Sequence, residues 1–335
     1  MHPAIQGLIT IVVGVGGCVG YFYASNMLLD KVLFPPRGPN AGRNINRANM
    51  IRPWLFLFPA IFALGLYLTY PVIETLRLSL VDRVPGGGYT WVGGANYAQM
   101  FGEPKFWEAV RNNFLWLLVV PAASTVFGLL AAQLTDRIGW GNIAKSLIFM
   151  PMAISFVGAS VIWKLVYDTR PIDQEQIGVL NAIYLALGGD DPQQWLTIPF
   201  WNNFFLMVVL IWIQTGFAMV ILSAALRGIP EETVEAAIVD GANPFQIFFR
   251  IKVPQIMPTI VVVWTTITIL VLKIFDIVFA MTNGQWETQV LANYMYDKLF
   301  RANDWGVGSA SAMIIMVLVT PILVWNVYNA RKEMR

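Results

Sequence analysis

The chain contains about seven runs of about 20 mostly apolar residues, the length a helix needs to cross a bilayer, so most of it can fold only in lipid. The runs fall roughly at residues 4–29, 54–73, 114–134, 146–166, 203–226, 259–281 and 307–327. Composition agrees: 57% of the residues are hydrophobic and 13% are charged, against about 25% charged in an ordinary soluble domain. The expected fold class is all-α, a polytopic membrane protein. Pro59, Pro121, Pro151 and Pro321 lie inside the runs, where membrane helices tolerate proline if neighbours satisfy the freed carbonyls.

Several functions are excluded early. The net charge is +2, too small for a nucleic-acid field, and no basic and aromatic residues interleave as single strands require. Cys18 and His2 are the sole cysteine and histidine. That rules out an intrachain disulfide, a Cys/His zinc site and the common nucleophile dyads, so no catalytic or metal-binding residue is assigned. Cys18 follows Val15-Gly16-Gly17 in an apolar run, yet no Lys or Arg precedes it as a lipoprotein signal requires.

Basic residues near span ends favour the cytoplasm. One alternating set of segments holds Lys31, Arg37, Arg43, Arg47, Arg52, Arg137, Lys145, Arg227, Arg250, Lys252, Arg331, Lys332 and Arg335. The smaller opposite set holds Arg77, Arg83, Lys105, Arg111, Lys164, Arg170, Lys298 and Arg301. The first set is expected inside, with the C-terminus, which puts the N-terminus outside and leaves the first run as an uncleaved anchor.

Between the fifth and sixth runs, residues 228–258 are too polar to span and carry helix punctuation. Pro230 suits a first turn, Glu231 and Glu232 suit a helix N-terminus, and Gly241 is placed to end the helix. Asn243 then caps, and Pro244 opens, a second short helix reaching about Ile251 and stopping near Pro254. Two short helices at an angle make a knob that another protein could grip; an ordinary surface loop is the alternative.

Within this segment Glu235-Ala236-Ala237 is followed after three residues by Gly241, and after nine more by Ile251-Lys252-Val253-Pro254. The pattern resembles the EAA signature of type I ATP-binding-cassette (ABC) importer permeases, E-A-A-x3-G-x9-I-x-L-P, with Val253 the one departure. Trp91-Val92-Gly93-Gly94-Ala95-Asn96-Tyr97, Pro104-Lys105-Phe106-Trp107 and Asn112-Asn113 resemble the external loop of the sugar branch of that family. Phe149-Met150-Pro151, Trp212, Met281-Thr282-Asn283-Gly284, Gly306 and Ala310-Ser311-Ala312 recur in like order. The likeness covers about residues 54–335.

The resemblance implies a six-helix importer core at 53–335, preceded by an anchor span and basic cytoplasmic linker at 1–52. It implies that Glu235, Ala236, Ala237, Asp240, Gly241, Ile251 and Pro254 serve coupling to ATPase subunits, the alanines allowing close approach and the acids pairing with basic groove residues. The implied partners are a second permease subunit, two ABC ATPase subunits and an extracytoplasmic sugar-binding protein, in the lipid of a bacterial inner membrane. ATP and Mg2+ would sit on the ATPases, because this chain has no Gly-x4-Gly-Lys-Ser/Thr loop and is expected to bind no cofactor and to be no enzyme. The external loop at 74–112 is too short for the large folded domain of the enteric maltose permease. That favours the compact relatives carrying trehalose, maltose, sucrose or related α-glucosides.

Ionisable groups inside spans are costly and usually face a cavity. Lys273 and Asp276 lie in the sixth run, three residues apart, so they can meet on one helix face. They line the translocation path or fix helix ends. Gln214, Phe217, Thr268 and Asp276 form the candidate sugar pocket, since sugars take planar hydrogen-bonding groups and aromatic faces. Against this, span threonines often bond their own backbone and aromatics often serve packing. An ion-driven secondary transporter using Lys273 and Asp276 is the alternative, although no internal repeat is evident. For a membrane enzyme no HxxxH or DDxxD cluster appears.

Overall fold

A computed structural model describes residues 3–84, 86–136 and 138–333. His2, Arg137 and Arg335, used above, lie outside them. The chain divides into two compact units, Met1–Glu74 and Thr75–Arg335.

In the first unit, α1 (Pro3–Met27) runs on through a π turn at Leu28–Leu33, and α2 (Ala41–Leu64) continues through a π turn at Gly65–Thr69 into α3 (Tyr70–Ser79), whose residues from Thr75 on belong to the second unit. Helix therefore begins at Ala41, and Arg43, Arg47 and Arg52 sit on it rather than on irregular chain. Arg52 Nη2 donates to both carboxylate oxygens of Asp30, at 2.7 and 2.9 Å. Tyr21 donates its hydroxyl to the Leu55 carbonyl at 2.8 Å, joining α1 to α2.

The second unit opens with a feature the all-α expectation lacks, a hairpin of β1 (Val81–Arg83) and β2 (Tyr89–Trp91) pairing Val81 with Trp91. Gly86, Gly87 and Gly88 all have positive φ there, which glycine adopts at no steric cost. Then come α4 (Ala95–Gly102), α5 (Pro104–Thr135), α6 (Gly141–Phe149), α7 (Phe156–Val166), α8 (Val179–Ala186) and α9 (Trp201–Arg227). The remainder is α10 (Glu231–Val239), α11 (Pro244–Gln246), α12 (Val253–Gln255), α13 (Met257–Leu272), α14 (Asp276–Met281), α15 (Leu291–Tyr296) and α16 (Trp305–Glu333).

Among the described residues, five helical stretches are long and apolar enough to cross a membrane: Ile5–Leu33, Ala41–Ser79, Pro104–Thr135, Trp201–Arg227 and Trp305–Trp325. The number reaches seven if two bent pairs each make one span. The run at 146–166 is not straight, because Gly141–Ala153 and Phe156–Val166 meet at 106°. Pro151 sits in a 3-10 turn, and Ser155 starts a new helix by accepting the Gly158 N–H at 3.1 Å.

The run at 259–281 also differs. Its helix α13 bends 70° from the preceding Pro244–Gln255 and stops at Leu272. Phe275 leaves helical geometry (φ −137°) to stack on Phe279 at 4.9 Å and meet Tyr296 at 5.3 Å. The Asn113 amide lies 3.5 Å from the carbonyl of Leu272 at the break. Lys273 and Asp276 therefore do not share one helix face: the first caps α13, the second begins α14.

The core of this unit is the α5–α9 pair with α13 beside it. Trp116 and Val120 pack with Leu206, Leu210, Ile213 and Met219, and with Val263 and Ile267. Lipid is as apolar as these side chains, so close packing rather than burial holds the helices together. Small residues permit it. At Gly128 an added Cβ would fall on Ala218 Cβ and lie 2.9 Å from the Met219 amide nitrogen.

Candidate functional site

One end of the second unit carries a rigid elbow. Pro230 stands just before α10, with Glu231 and Glu232 in the first turn, where the helix dipole favours acids. The helix ends as its glycine foretells: Gly241 has φ +81°, its N–H reaches the Ile238 carbonyl at 3.0 Å, and the Ala242 N–H reaches the Ala237 carbonyl at 2.9 Å. This is the paired bonding of a Schellman cap.

Two residues later Asn243 starts the return. Its side-chain oxygen accepts the Gln246 N–H at 2.8 Å, and Gln246 Oε1 accepts the Asn243 N–H at 2.8 Å, a full capping box. Pro244 takes the first helical position, and the chain continues through a π turn at Ile247–Lys252 and α12 before bending into α13. The short second helix ends at Gln255, one residue past Pro254.

The structure gathers the coupling candidates onto this elbow. Glu235, Ala236, Asp240, Gly241 and Pro254 are exposed, Ile251 is half-buried, and Ala237 is buried where α10 packs on the Ile247–Lys252 turn. More telling are apolar side chains turned outward at a polar loop: Val239 is 87% exposed, Phe245 76% and Phe249 62%. Apolar side chains exposed on a polar loop make it a candidate docking surface. An apolar cavity of about 580 Å³, lined by Leu130, Leu134, Val234, Ile238, Phe245 and Phe249 among others, lies beside the elbow.

The substrate-path candidates are not gathered in the same way. Gln214 is buried in α9 and Phe217 half-buried. Thr268 donates to the Trp264 carbonyl at 2.8 Å, and Thr215 and Thr265 likewise bond their own helices. Lys273 is exposed at the helix break, where it lines a cavity of about 330 Å³ with Phe275, Ala292, Met295, Tyr296, Ala312 and Ile315. None of Gln214, Phe217, Thr268 and Asp276 lines that cavity. Apart from Lys273 and the Tyr296 hydroxyl its lining is apolar or aromatic, so it offers ring faces but none of the planar hydrogen-bonding groups expected of a sugar pocket.

At the end of the unit away from the elbow lies an asparagine cradle, of which the sequence showed Asn112-Asn113 only as a family likeness and not as a support. Asn112 Nδ2 donates to the carbonyls of Glu287 and Gln289, each at 2.8 Å, and Asn113 Oδ1 accepts the Leu291 N–H at 2.8 Å. Asn202 donates to the Trp286 carbonyl and Asn203 to that of Glu287. The loop they hold has positive φ at Asn283, Gly284, Trp286 and Glu287, a costly backbone that persists only where its surroundings fix it. The available signal was two Asn-Asn pairs, 112–113 and 202–203, placed where apolar runs begin.

Residues 124–334 match the family described as binding-protein-dependent transport system inner membrane component. The alpha-glucoside transport system permease protein AglF of Rhizobium meliloti (strain 1021) is 63% identical, over 99% of each chain. The osmoprotective compounds uptake permease protein GgtC of a Synechocystis strain is 47% identical, over 84% of this chain and 100% of its own. Among solved structures, a bacterial alginate ABC transporter in complex with an alginate pentasaccharide-bound periplasmic protein has a chain of like fold. It aligns with a TM-score of 0.72 at 21% identity, over 88% of this chain and 99% of that one.

Proposed function

We infer, from the premise that this chain belongs to the binding-protein-dependent transport system inner membrane components and is an ABC transporter permease subunit, that it imports an α-glucoside and meets its ATPases at the α10–α12 elbow. The ion-driven alternative falls with that membership. The elbow assignment rests chiefly on the outward Val239, Phe245 and Phe249 on a doubly capped, rigid loop. The cargo assignment rests on 63% identity along nearly the whole chain to a relative named for α-glucosides.

In this reading the elbow is cytoplasmic, the asparagine-held loop faces outward, and residues 1–52 form an N-out anchor and linker. The working complex contains this subunit, a second permease subunit, two ATPases holding ATP and Mg2+, and an extracytoplasmic sugar-binding protein. The chain itself does no chemistry and binds no nucleotide. Glu235, Ala236, Asp240 and Gly241 enter the ATPase surface, Ala237 lets α10 pack closely on the Ile247–Lys252 turn, and Ile251 and Pro254 carry the load back. Displacement of the elbow passes through α12 into α13, which has 16 residues and is about 24 Å long at the helical rise. At its far end the interrupted backbone at Lys273–Phe275 can hinge, changing access to the cavity beside Lys273. Gln214, Phe217, Thr268 and Asp276 are placed to shape the helices around the path rather than to bind at Lys273.

The test is ATP hydrolysis by the complex purified from its native membrane and reconstituted in liposomes with the binding protein. Maltose, trehalose or sucrose is expected to stimulate hydrolysis several-fold through the loaded binding protein. Stimulation by non-glucoside compatible solutes alone would overturn the cargo assignment, and an absence of co-purifying ATPases would overturn the elbow.

A further inference from the structure

Behind the elbow, one carboxylate ties the ends of α5 and α9 to the middle of α6. Asp136 follows the last residue of α5, and its Oδ1 accepts hydrogen bonds from Ser223 Oγ at 3.0 Å and Arg227 Nε at 3.1 Å, both in the closing turns of α9. The same oxygen accepts from Lys145 Nζ on α6, and Lys145 also donates to Ser223 Oγ at 2.6 Å. The corner between α5 and α6 is tight, since a Cβ at Gly141 would fall on the Thr135 carbonyl.

A surface ion pair at a helix end is usually worth little, and Arg227, 61% exposed, fits that description. Lys145 and Asp136 do not: their side chains are 14% and 19% exposed, and partly buried charges are screened less. Burial opposes ionisation of Asp136, but the bonds from Lys145, Ser223 and Arg227 outweigh it and hold the carboxyl below its ordinary range. The Asp136 carboxyl therefore stays ionised at neutral pH.

Its position matters more than its strength. Only Gly228, Ile229 and Pro230 separate Arg227 from α10, and the Gly228 N–H is bonded back to Ala224 and Ala225 of α9. A cavity of about 540 Å³ has Asp136, Gln133 and Arg227 of the bundle on its wall together with Glu231 and Glu235 of α10. Lys252, on the return from the elbow, donates to Gln133 Oε1 at 3.3 Å. Both strokes of the elbow are thus anchored beside Asp136, while the cavity leaves α10 room to move.

We propose that Asp136, through Lys145, Ser223 and Arg227, is a positioning residue that makes α5, α6 and α9 move as one body when the elbow is displaced. The proposal rests on the coupling role given above to α10–α12. Without the knot, elbow motion would be absorbed at the helix ends and ATP would be spent without transport.

The experiment compares the native complex with Asp136→Asn, Asp136→Glu and Ser223→Ala complexes in liposomes, reading ATPase recovery, hydrolysis rate and cargo imported per ATP. Asp136→Asn is expected to retain its ATPases and hydrolysis while cargo per ATP falls about tenfold, the scale of a transmission defect. Ser223→Ala should show a smaller fall in the same ratio, and Asp136→Glu should recover most of it. A native ratio in Asp136→Asn overturns the proposal, as does a parallel fall of hydrolysis and uptake, which marks a merely structural role. If Asp136→Asn fails to assemble, Ser223→Ala decides by the same ratio, because it keeps every charge. If the native chain itself brings down no ATPase, the coupling reading fails first and removes this proposal with it.

Discussion

Gly241→Val is expected to abolish uptake while the chain still inserts and purifies. Gly241 lies in the left-handed region at φ +81°, where a side-chain-bearing residue pays about 1–2 kcal/mol. A β-branched residue fits there worst. Space is not the issue, because nothing lies within 4 Å of an added Cβ; the backbone itself is. Relieving the strain breaks the two closing bonds from Gly241 and Ala242, each worth about 1 kcal/mol net. It also re-aims Asn243 and its capping box, so the apolar side chains of α10 and α11 no longer present one surface. Asparagine tolerates left-handed backbone better, so the loss should grow in the order Gly241→Asn, Gly241→Ala, Gly241→Val. ATPase recovery with the tagged chain and uptake into cells check this; near-native recovery in Gly241→Val would contradict it.

Gly128→Leu is expected to prevent stable folding of the second unit. Helices α5 and α9 approach so closely that the first added atom would overlap Ala218 Cβ, with the Met219 amide nitrogen and Ala218 carbonyl carbon 2.9 and 3.0 Å away. Backbone cannot yield as a flexible side chain can. Gly128→Ala alone should cost about 1–3 kcal/mol, the usual range for overpacking. Ala218→Gly added to it should restore part of that by removing the overlapped methyl, and should do nothing for Gly128→Leu. Thermal unfolding in detergent, followed by loss of the monodisperse species, gives the ranking: native, double variant, Gly128→Ala, then Gly128→Leu.

Much of this architecture is legible in residue pattern because lipid imposes a coarse rule. Apolar runs near 114–134, 203–226 and 307–327 lie within α5, α9 and α16, since a long apolar segment has one way to satisfy its backbone. The elbow is legible for a local reason: Glu231, Gly241, Asn243 and Pro244 act through contacts a few residues away. What hid were breaks inside the apolar runs. Hydropathy does not show that Phe275 leaves its helix for Phe279 and Tyr296, or that Ser155 starts a new helix after Pro151, and so Lys273 and Asp276 looked like neighbours. The Asp136 knot escaped because its partners lie 9, 87 and 91 residues along the chain. The hairpin was missed because its strands are only 3 residues each, too short for alternation to register.

The most direct test of the central claim is a cross-link at the elbow. Cys18 is the chain's one cysteine, so Cys18→Ser gives a background in which Val239→Cys, at a position 87% exposed in the chain alone, can be addressed uniquely. In the native complex this cysteine should resist a water-soluble maleimide and be joined by a short bifunctional reagent to an ATP-binding subunit, the yield changing when ATP is added. Free labelling in the assembled complex, with no product containing an ATP-binding subunit, would contradict the assignment of α10–α12 as the coupling surface.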